Sequence, residues 1–386
     1  MRILLYSSIF WPSLGGVETI TATLAENIVR LGNECIVITE TPSNQEDNYS
    51  YRVVRRPTLR ERFKLARQCD LVHSNGASVA MFPFAKLNNK PFIWTHNGYQ
   101  VSCVDGLGWV DGEPAPMTPL ASLIYHLHKK GIVYFLKESV KLIIRRYVAT
   151  NVDLNIAATH WVARRQPLKN QVVAYTPYPL DKFKIARSIE PKKYDFIYVG
   201  RLVSEKGVSD LVRAFDLLVS NPKYQDRTLA IVGDGTIKSA LENLVLERHL
   251  TKNVFFLGAK YGAKLLEVIG QSQIAVVPSV WEEPMGGVAL ELLAAGKNLI
   301  VSEFGGHAEC VENAGLKFKN GDCLSLYECM IKLLTDESIA KEQLENAAIQ
   351  VNIFDEVELT KRYVEIYRNL TEKHQDNLTS KKKIKY

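Results

Sequence analysis

Two glutamates, Glu283 and Glu291, stand eight positions apart in the stretch SVWEEPMGGVALELLAAGK. Pro284, Gly286 and Gly287 lie between them. Proline suits the entry to a helix, where its missing N–H is not needed. Gly286 and Gly287, between Met285 and Val288, leave the backbone amides that follow unshielded toward whatever sits at that helix end. A helix beginning near Gly286 puts Glu291 five residues in, about 7.5 Å along the axis. Glu283 lies outside the end. One carboxylate can therefore reach each side of an anion bound at the helix start, which is the length scale of a sugar, a diphosphate and a ribose. Sugar hydroxyls are donors that carboxylates accept well. A carboxylate inside an apolar helix is costly to bury without such a partner.

Two further stretches have the chemistry to hold phosphate. In YVGRLVSEKG, Gly200 ends a strand, Arg201 follows it, and Lys206 precedes the next helix. Arginine binds a diphosphate bidentately and lysine adds a point charge. In FWPSLGGVE, Gly15 and Gly16 separate a strand from a helix whose free amides face anions. The chain carries no G-x-G-x-x-G fingerprint and no G-x-x-x-x-G-K-[ST] loop, which argues against dinucleotide oxidoreductases and P-loop kinases. It also carries no D-x-D metal motif.

These residues need strand ends to stand on. RILLYSS, ECIVITE, DLVHSNG and PFIWTHNG read as strands in the first half. YDFIYVG, TLAIVGDG, NVFFLG, IAVVPSV and NLIVSEF read as strands in the second, with amphipathic helices between them. Short β-branched runs alternating with helical periodicity give an α/β chain of two doubly wound, parallel-sheet domains. Ligands of such sheets sit at the carboxyl ends of the strands, here in a deep cleft between the domains. The expected divisions are 1–184 for an acceptor-binding domain, 185–352 for a donor-binding domain, 353–372 for a terminal helix packing back on the first, and 373–386 for a disordered basic tail.

The pieces together resemble glycosyltransferase family 4, retaining enzymes of the GT-B fold. EEPMGGVALELLAAG resembles the family's E-x7-E motif, PSLGGVE its N-terminal Gly-Gly loop, and DLVHSNG and WTHNG its His-bearing strand ends. YVGRLVSEKG resembles its diphosphate site, IVGDG with Gly233 and Gly235 the strand-loop after it, and SEFGGHAECV the loop after the E-x7-E helix. The resemblance spans most of residues 1–370 and is weakest over 101–150. It implies that Arg201 and Lys206 neutralise the leaving diphosphate, that Glu291 accepts from the ribose and Glu283 from the donor sugar. It further implies that Gly16 admits the phosphates, that His96 stands near the reacting sugar, and that Gly305, Gly306 and His307 flank the donor. Met285 and Gly287 depart from the bulkier residues frequent there, which leaves the sugar open. The implied reaction transfers a sugar from a nucleoside diphosphate sugar, UDP before GDP, without a cofactor or metal. The alternatives are another GT-B enzyme, such as an epimerase or phosphorylase, and a non-catalytic nucleotide-sugar or glycan binder.

Charge and hydropathy bear on the partner. Residues 1–184 carry 22 Lys and Arg against 14 Asp and Glu, and the rest carry 26 against 28. The basic half contains LASLIYHLHKKGIVYFLKESVKLIIRRYV, an amphipathic stretch over 119–147 with Lys129, Lys130, Lys137, Lys141, Arg145 and Arg146. It reads either as helices facing a core or as a surface for lipid headgroups. No apolar run approaches the roughly 18 residues that cross a bilayer. The six cysteines form no C-x-x-C pair, which suits a reducing compartment. The expected acceptor is a cell-envelope glycan, lipid-linked, at the cytoplasmic membrane face, with no nucleic acid involved.

Overall fold

The computed structural model describes residues 1–13 and 15–383, with side chains described as far as residue 377. The chain forms two compact units. One comprises residues 1–107, 116–179 and the chain from Phe354 onward. The other comprises residues 108–115 and 180–353.

The first unit holds β1 (Arg2–Tyr6), β2 (Glu34–Thr39), β3 (Arg52–Arg55), β4 (Leu71–Asn75) and β5 (Phe92–His96). A two-stranded ribbon, β6 (Trp109–Val110) and β7 (Glu113–Pro114), follows in sequence and belongs to the second unit. β8 (Leu154–Ala157) and β9 (Gln171–Val173) complete the first sheet. Its order is β3-β2-β1-β4-β5-β8-β9, and every pairing is parallel. Both faces are covered, so Ile3 to Tyr6 of β1 are all buried rather than alternating. Ile3 and Leu5 enter one core with Leu24, Ile28 and Tyr367, while Leu4 and Tyr6 enter the other with Trp94 and Val148.

The second sheet contains β10 (Tyr194–Val199), β11 (Leu229–Val232), β12 (Val254–Gly258), β13 (Ser272–Val277), β14 (Asn298–Ser302) and β15 (Leu316–Phe318). It is also parallel, in the order β12-β11-β10-β13-β14-β15. The chain reverses its direction of winding between β10 and β13. Such a switch point opens a crevice at the carboxyl ends of the two strands.

Three details differ from the sequence reading. The division falls between Pro179 and Leu180, before the expected position at 184. The β6–β7 ribbon, expected within 1–184, joins the second unit, where the Trp109 indole N–H donates to Ser204 Oγ at 3.0 Å. The terminal helix Glu356–Lys383 runs through most of the 373–386 segment expected to lack structure, and residues 384–386 lie outside the described residues.

Candidate active site

The loops after β10 and β13 flank the second unit's switch point, and the charged residues singled out in the sequence stand on them. Lys206 Nζ bonds Glu283 Oε1 at 2.9 Å, with both side chains largely buried. The Ser279 hydroxyl also donates to Glu283 Oε1. Burial opposes ionisation of Glu283, but Lys206 and the Ser279 hydroxyl outweigh it and hold the carboxyl below its usual range. Its other oxygen remains an acceptor for a ligand hydroxyl.

The backbone here is packed to contact. Gly207 has φ +65°, and a Cβ on it would lie 1.9 Å from the Pro278 carbonyl oxygen. The loop of Lys206 thus docks against the loop of Glu283, with the Val280 amide donating to the Glu205 carbonyl at 3.1 Å. Gly286 permits a similar approach, since a Cβ there would lie 2.7 Å from His307 Cα. Gly305 pairs with Glu283 as a parallel bridge, and the Gly306 amide donates to the Glu283 carbonyl at 2.5 Å.

His307 is fully buried beside this pair. The Ser302 hydroxyl donates to the Ser279 carbonyl at 2.6 Å, so it accepts from His307 Nε2–H at 2.8 Å. That fixes the tautomer and leaves Nδ1 a bare lone pair with no partner among the described residues. Burial lowers the pKa of His307, with Glu283 opposing, so the neutral ring is favoured. Gly305 packs directly against this edge of the ring, since a Cβ there would sit 2.8 Å from Nδ1. A buried acceptor beside a buried carboxylate suits two hydroxyls of one ring.

Helix Gly287–Ala294 begins directly after Gly286, with no side-chain cap and no acid in its first turn. The first amide with an acceptor inside this turn is that of Leu290, bonded to the Gly286 carbonyl at 2.9 Å. The amides of Gly287, Val288 and Ala289 have no intrahelical acceptor. Met285 is buried at the entry, and Val288 is half-buried. Glu291 sits one turn into the helix and is half-buried. The atoms packed around its carboxylate push it up to about 7, against Lys182. Among the described residues none hydrogen-bonds that carboxylate.

Arg201 stands at the end of β10 with 66% of its side chain exposed, 3.5 Å from Glu205. Gly200, Gly233 and Gly235 bring the loops after β10 and β11 into backbone contact, with the Leu202 amide donating to the Asp234 carbonyl at 2.9 Å.

The first unit holds the remaining candidates. Gly16 opens helix Gly16–Arg30, with Gly15 extended at its N-cap. Glu18 lies in its first turn. The Glu18 carboxylate accepts from Ser13 Oγ at 3.1 Å, and a Cβ on Gly15 would meet it at 2.7 Å. His96 is buried with both ring nitrogens engaged. Nε2 donates to Asn155 Oδ1 at 2.8 Å, and Nδ1 accepts from Gln166 Nε2 at 3.2 Å. Asn155 is oriented by its own amide, which donates to the carbonyls of Ala149 and Lys169. Burial, with Asn155 opposing, lowers His96 to about 4. The ring is thus fixed and neutral, tilted at 42° to the Trp94 ring with centroids 4.4 Å apart. His73 likewise bridges Tyr367 and Thr95 inside the core.

Sequence reasoning missed Ser279, Ser302 and Trp281, whose ring lies 5.7 Å from Lys206 Nζ. Ser279 lies four residues before Glu283 and was legible in principle. Ser302 acts through the crossing of β14 with the β13 loop, which no local pattern encodes.

Comparison with known proteins agrees with this architecture. Residues 181–351 match the family described as glycosyl transferases group 1. An uncharacterized glycosyltransferase of Methanocaldococcus jannaschii is 26% identical over 337 residues, covering 78% of this chain and 80% of the relative. The alpha-monoglucosyldiacylglycerol synthase of Acholeplasma laidlawii is 24% identical over 99% of this chain and 100% of its own length. Among solved structures, Anabaena HepE in complex with UDP superposes with a TM-score of 0.70 at 16% identity, over 96% of this chain and 100% of that one. Sucrose-phosphate synthase of Thermosynechococcus elongatus gives 0.71 at 21% identity, over 96% and 98%. The fold is GT-B.

Proposed function

We propose that this protein is a retaining glycosyltransferase that moves a sugar from a nucleoside diphosphate sugar to a hydroxyl of a glycan or lipid-linked acceptor. The observation that carries the reading is the Lys206–Glu283 pair with the bare His307 Nδ1 beside it, at the entry of an uncapped helix. The second unit binds the donor in this reading, and the first binds the acceptor.

Departure of the diphosphate builds negative charge, which Arg201, Lys206 and the amides of Gly287 and Val288 face. Glu283 and His307 accept hydroxyls of the donor sugar, and Glu291 accepts from the ribose. The acceptor oxygen bonds to the anomeric carbon as the bond to the phosphate oxygen breaks. The acceptor's proton passes to that departing oxygen on the same face, which gives retention. No protein base is needed, and a locked, neutral His96 is consistent with that. The cations on the β10 loop do the work a metal would do, so activity should survive chelation. UDP is favoured over GDP because the HepE neighbours were solved with UDP and UDP-glucose. A lipid-linked acceptor of cell-envelope synthesis is favoured by the end-to-end match to a diacylglycerol glycolipid synthase. Six free cysteines suit the cytoplasm.

The test is a screen of UDP-, GDP- and ADP-sugars for slow hydrolysis, read as released nucleotide. One donor should be consumed. Glu283→Ala should abolish the turnover, and Lys206→Ala should lower it about 100-fold or more. Equal turnover in both variants would overturn the assignment, as would failure of the protein to bind UDP or GDP at saturation.

A further inference from the structure

The helical stretch Pro119–Asn151 is broken at Gly131, where φ is +79°, and the part beyond the break is turned inside out. Its buried side carries Glu138, only 8% exposed, with Leu142, Val148 and Ala149. Its solvent side carries Val133, Leu136, Val140, Ile143, Ile144 and Tyr147. Val133 is 78% exposed, Leu136 58% and Ile143 65%. At 100° per residue these six fall within an arc of about 100°, a continuous stripe roughly 21 Å long. A surface helix normally turns such a stripe to the core. Scattered exposed apolar residues mean little, but a contiguous stripe marks a surface that something covers.

Charge identifies the occupant. Lys137 and Lys141 border one edge of the stripe, and Arg146 borders the other. Lys129 and Lys130 immediately precede the break and lie against the rings of Tyr125 and Tyr134. Glu138 is the one acid in the whole stretch, and it is covered by Lys141 Nζ at 2.5 Å. The stripe thus presents apolar side chains with cations on both sides and no exposed carboxylate. A second copy of the chain would bring the same positive edges face to face, which disfavours a symmetric dimer. Among the described residues no helix is long and apolar enough to cross a membrane.

We propose that residues 132–147 form a monotopic docking surface for an anionic lipid bilayer. The helix lies in the interface plane, with its apolar stripe among the acyl chains and its lysines at the headgroups. This goes beyond the transferase reading and does not depend on it, since docking needs no nucleotide sugar.

The test is flotation of the full chain with phosphatidylcholine vesicles, with and without phosphatidylglycerol, at low and high salt. The protein should float with the anionic vesicles and much less with the neutral ones. Leu136→Ser/Val140→Ser/Ile143→Ser should lower partitioning more than tenfold. Lys137→Ala should lower it about fivefold, equivalent to about 1 kcal/mol, and the lysine effect should fade in salt. All these side chains are exposed, so circular dichroism and donor hydrolysis should not change. Wild-type flotation in the serine variant would overturn the proposal, as would equal affinity for neutral and anionic vesicles. So would a dimer that the serine variant converts to monomer without any vesicle binding, which would assign the stripe to a second copy.

Discussion

Glu283 and Glu291 are two carboxylates on one helix entry whose surroundings push them in opposite directions. Glu283 has Lys206 and Ser279, and it is held ionised. Glu291 has burial and only Lys182 against it, and its pKa rises from 4.5 to about 7. The folded state therefore binds a proton at Glu291 that the unfolded chain has lost between about pH 4.5 and 7. The stability this contributes is full below the lower value and is lost as pH rises through the upper one. Ribose binding should run the other way, because the ionised carboxylate is the better acceptor. Nucleotide-sugar affinity should tighten as pH rises from 6 to 8, measured by calorimetry with a donor whose diphosphate does not titrate in that range. Glu291→Gln should remove both slopes. An unchanged affinity profile in that variant would show that Glu291 does not meet the nucleotide. The E-x7-E spacing made both residues legible in the sequence. Their opposite ionisation was not legible, because it depends on Ser279 and Lys206 across the switch point and on how tightly Glu291 is packed.

At the scale of elements, the site is two loops locked together more than a set of side chains. Gly207 joins Lys206 to helix Val208–Val219 in a left-handed conformation with its α-carbon against Pro278. Gly207→Ala should force the Lys206 loop away from the Glu283 loop and cost more than about 1 kcal/mol of stability. Urea unfolding would measure that loss, and donor hydrolysis should fall with it because Lys206 and Glu283 are drawn apart. Full activity with unchanged stability would show that the loop tolerates a side chain there. The strands and both parallel sheets were readable from apolar runs and glycine punctuation. The role of Gly207 was not, because an S-E-K-G sequence looks like an ordinary helix approach until Pro278 is brought against it. Residues 119–147 show a different limit. Periodicity gave an amphipathic helix correctly, but a period has no sign, and only the structure shows that Glu138 faces inward while Val133 and Ile143 face water.

On the scale of the whole molecule, the chain's last helix belongs to the unit in which the chain begins. Tyr363 and Tyr367 are buried in the core built by β1, β4 and β5. Tyr367 Oη bonds His73 Nδ1 at 2.7 Å, and His73 Nε2 bonds Thr95 Oγ1 at 2.7 Å. Burial lowers the pKa of His73 to about 3, so this link is between neutral groups and should not respond to pH above that value. Deleting the Tyr367 hydroxyl leaves a ring nitrogen of His73 buried without its partner, at a cost of about 1–3 kcal/mol. Tyr363→Ala would open a cavity in the same core and cost about 3–5 kcal/mol. Since a domain's total stability is only about 5–15 kcal/mol, the double variant should bring the first unit close to unfolding. The second unit has its own core around Phe196, Phe215 and Ile231, to which neither tyrosine contributes. In Tyr363→Ala/Tyr367→Phe, urea unfolding should therefore split into two steps, with an early step assigned to the first unit by hydrogen exchange at β1 and β5. Exchange at β10 and β13 should keep its wild-type protection. A single transition, with both sheets losing protection together, would show instead that the two units fold as one cooperative body.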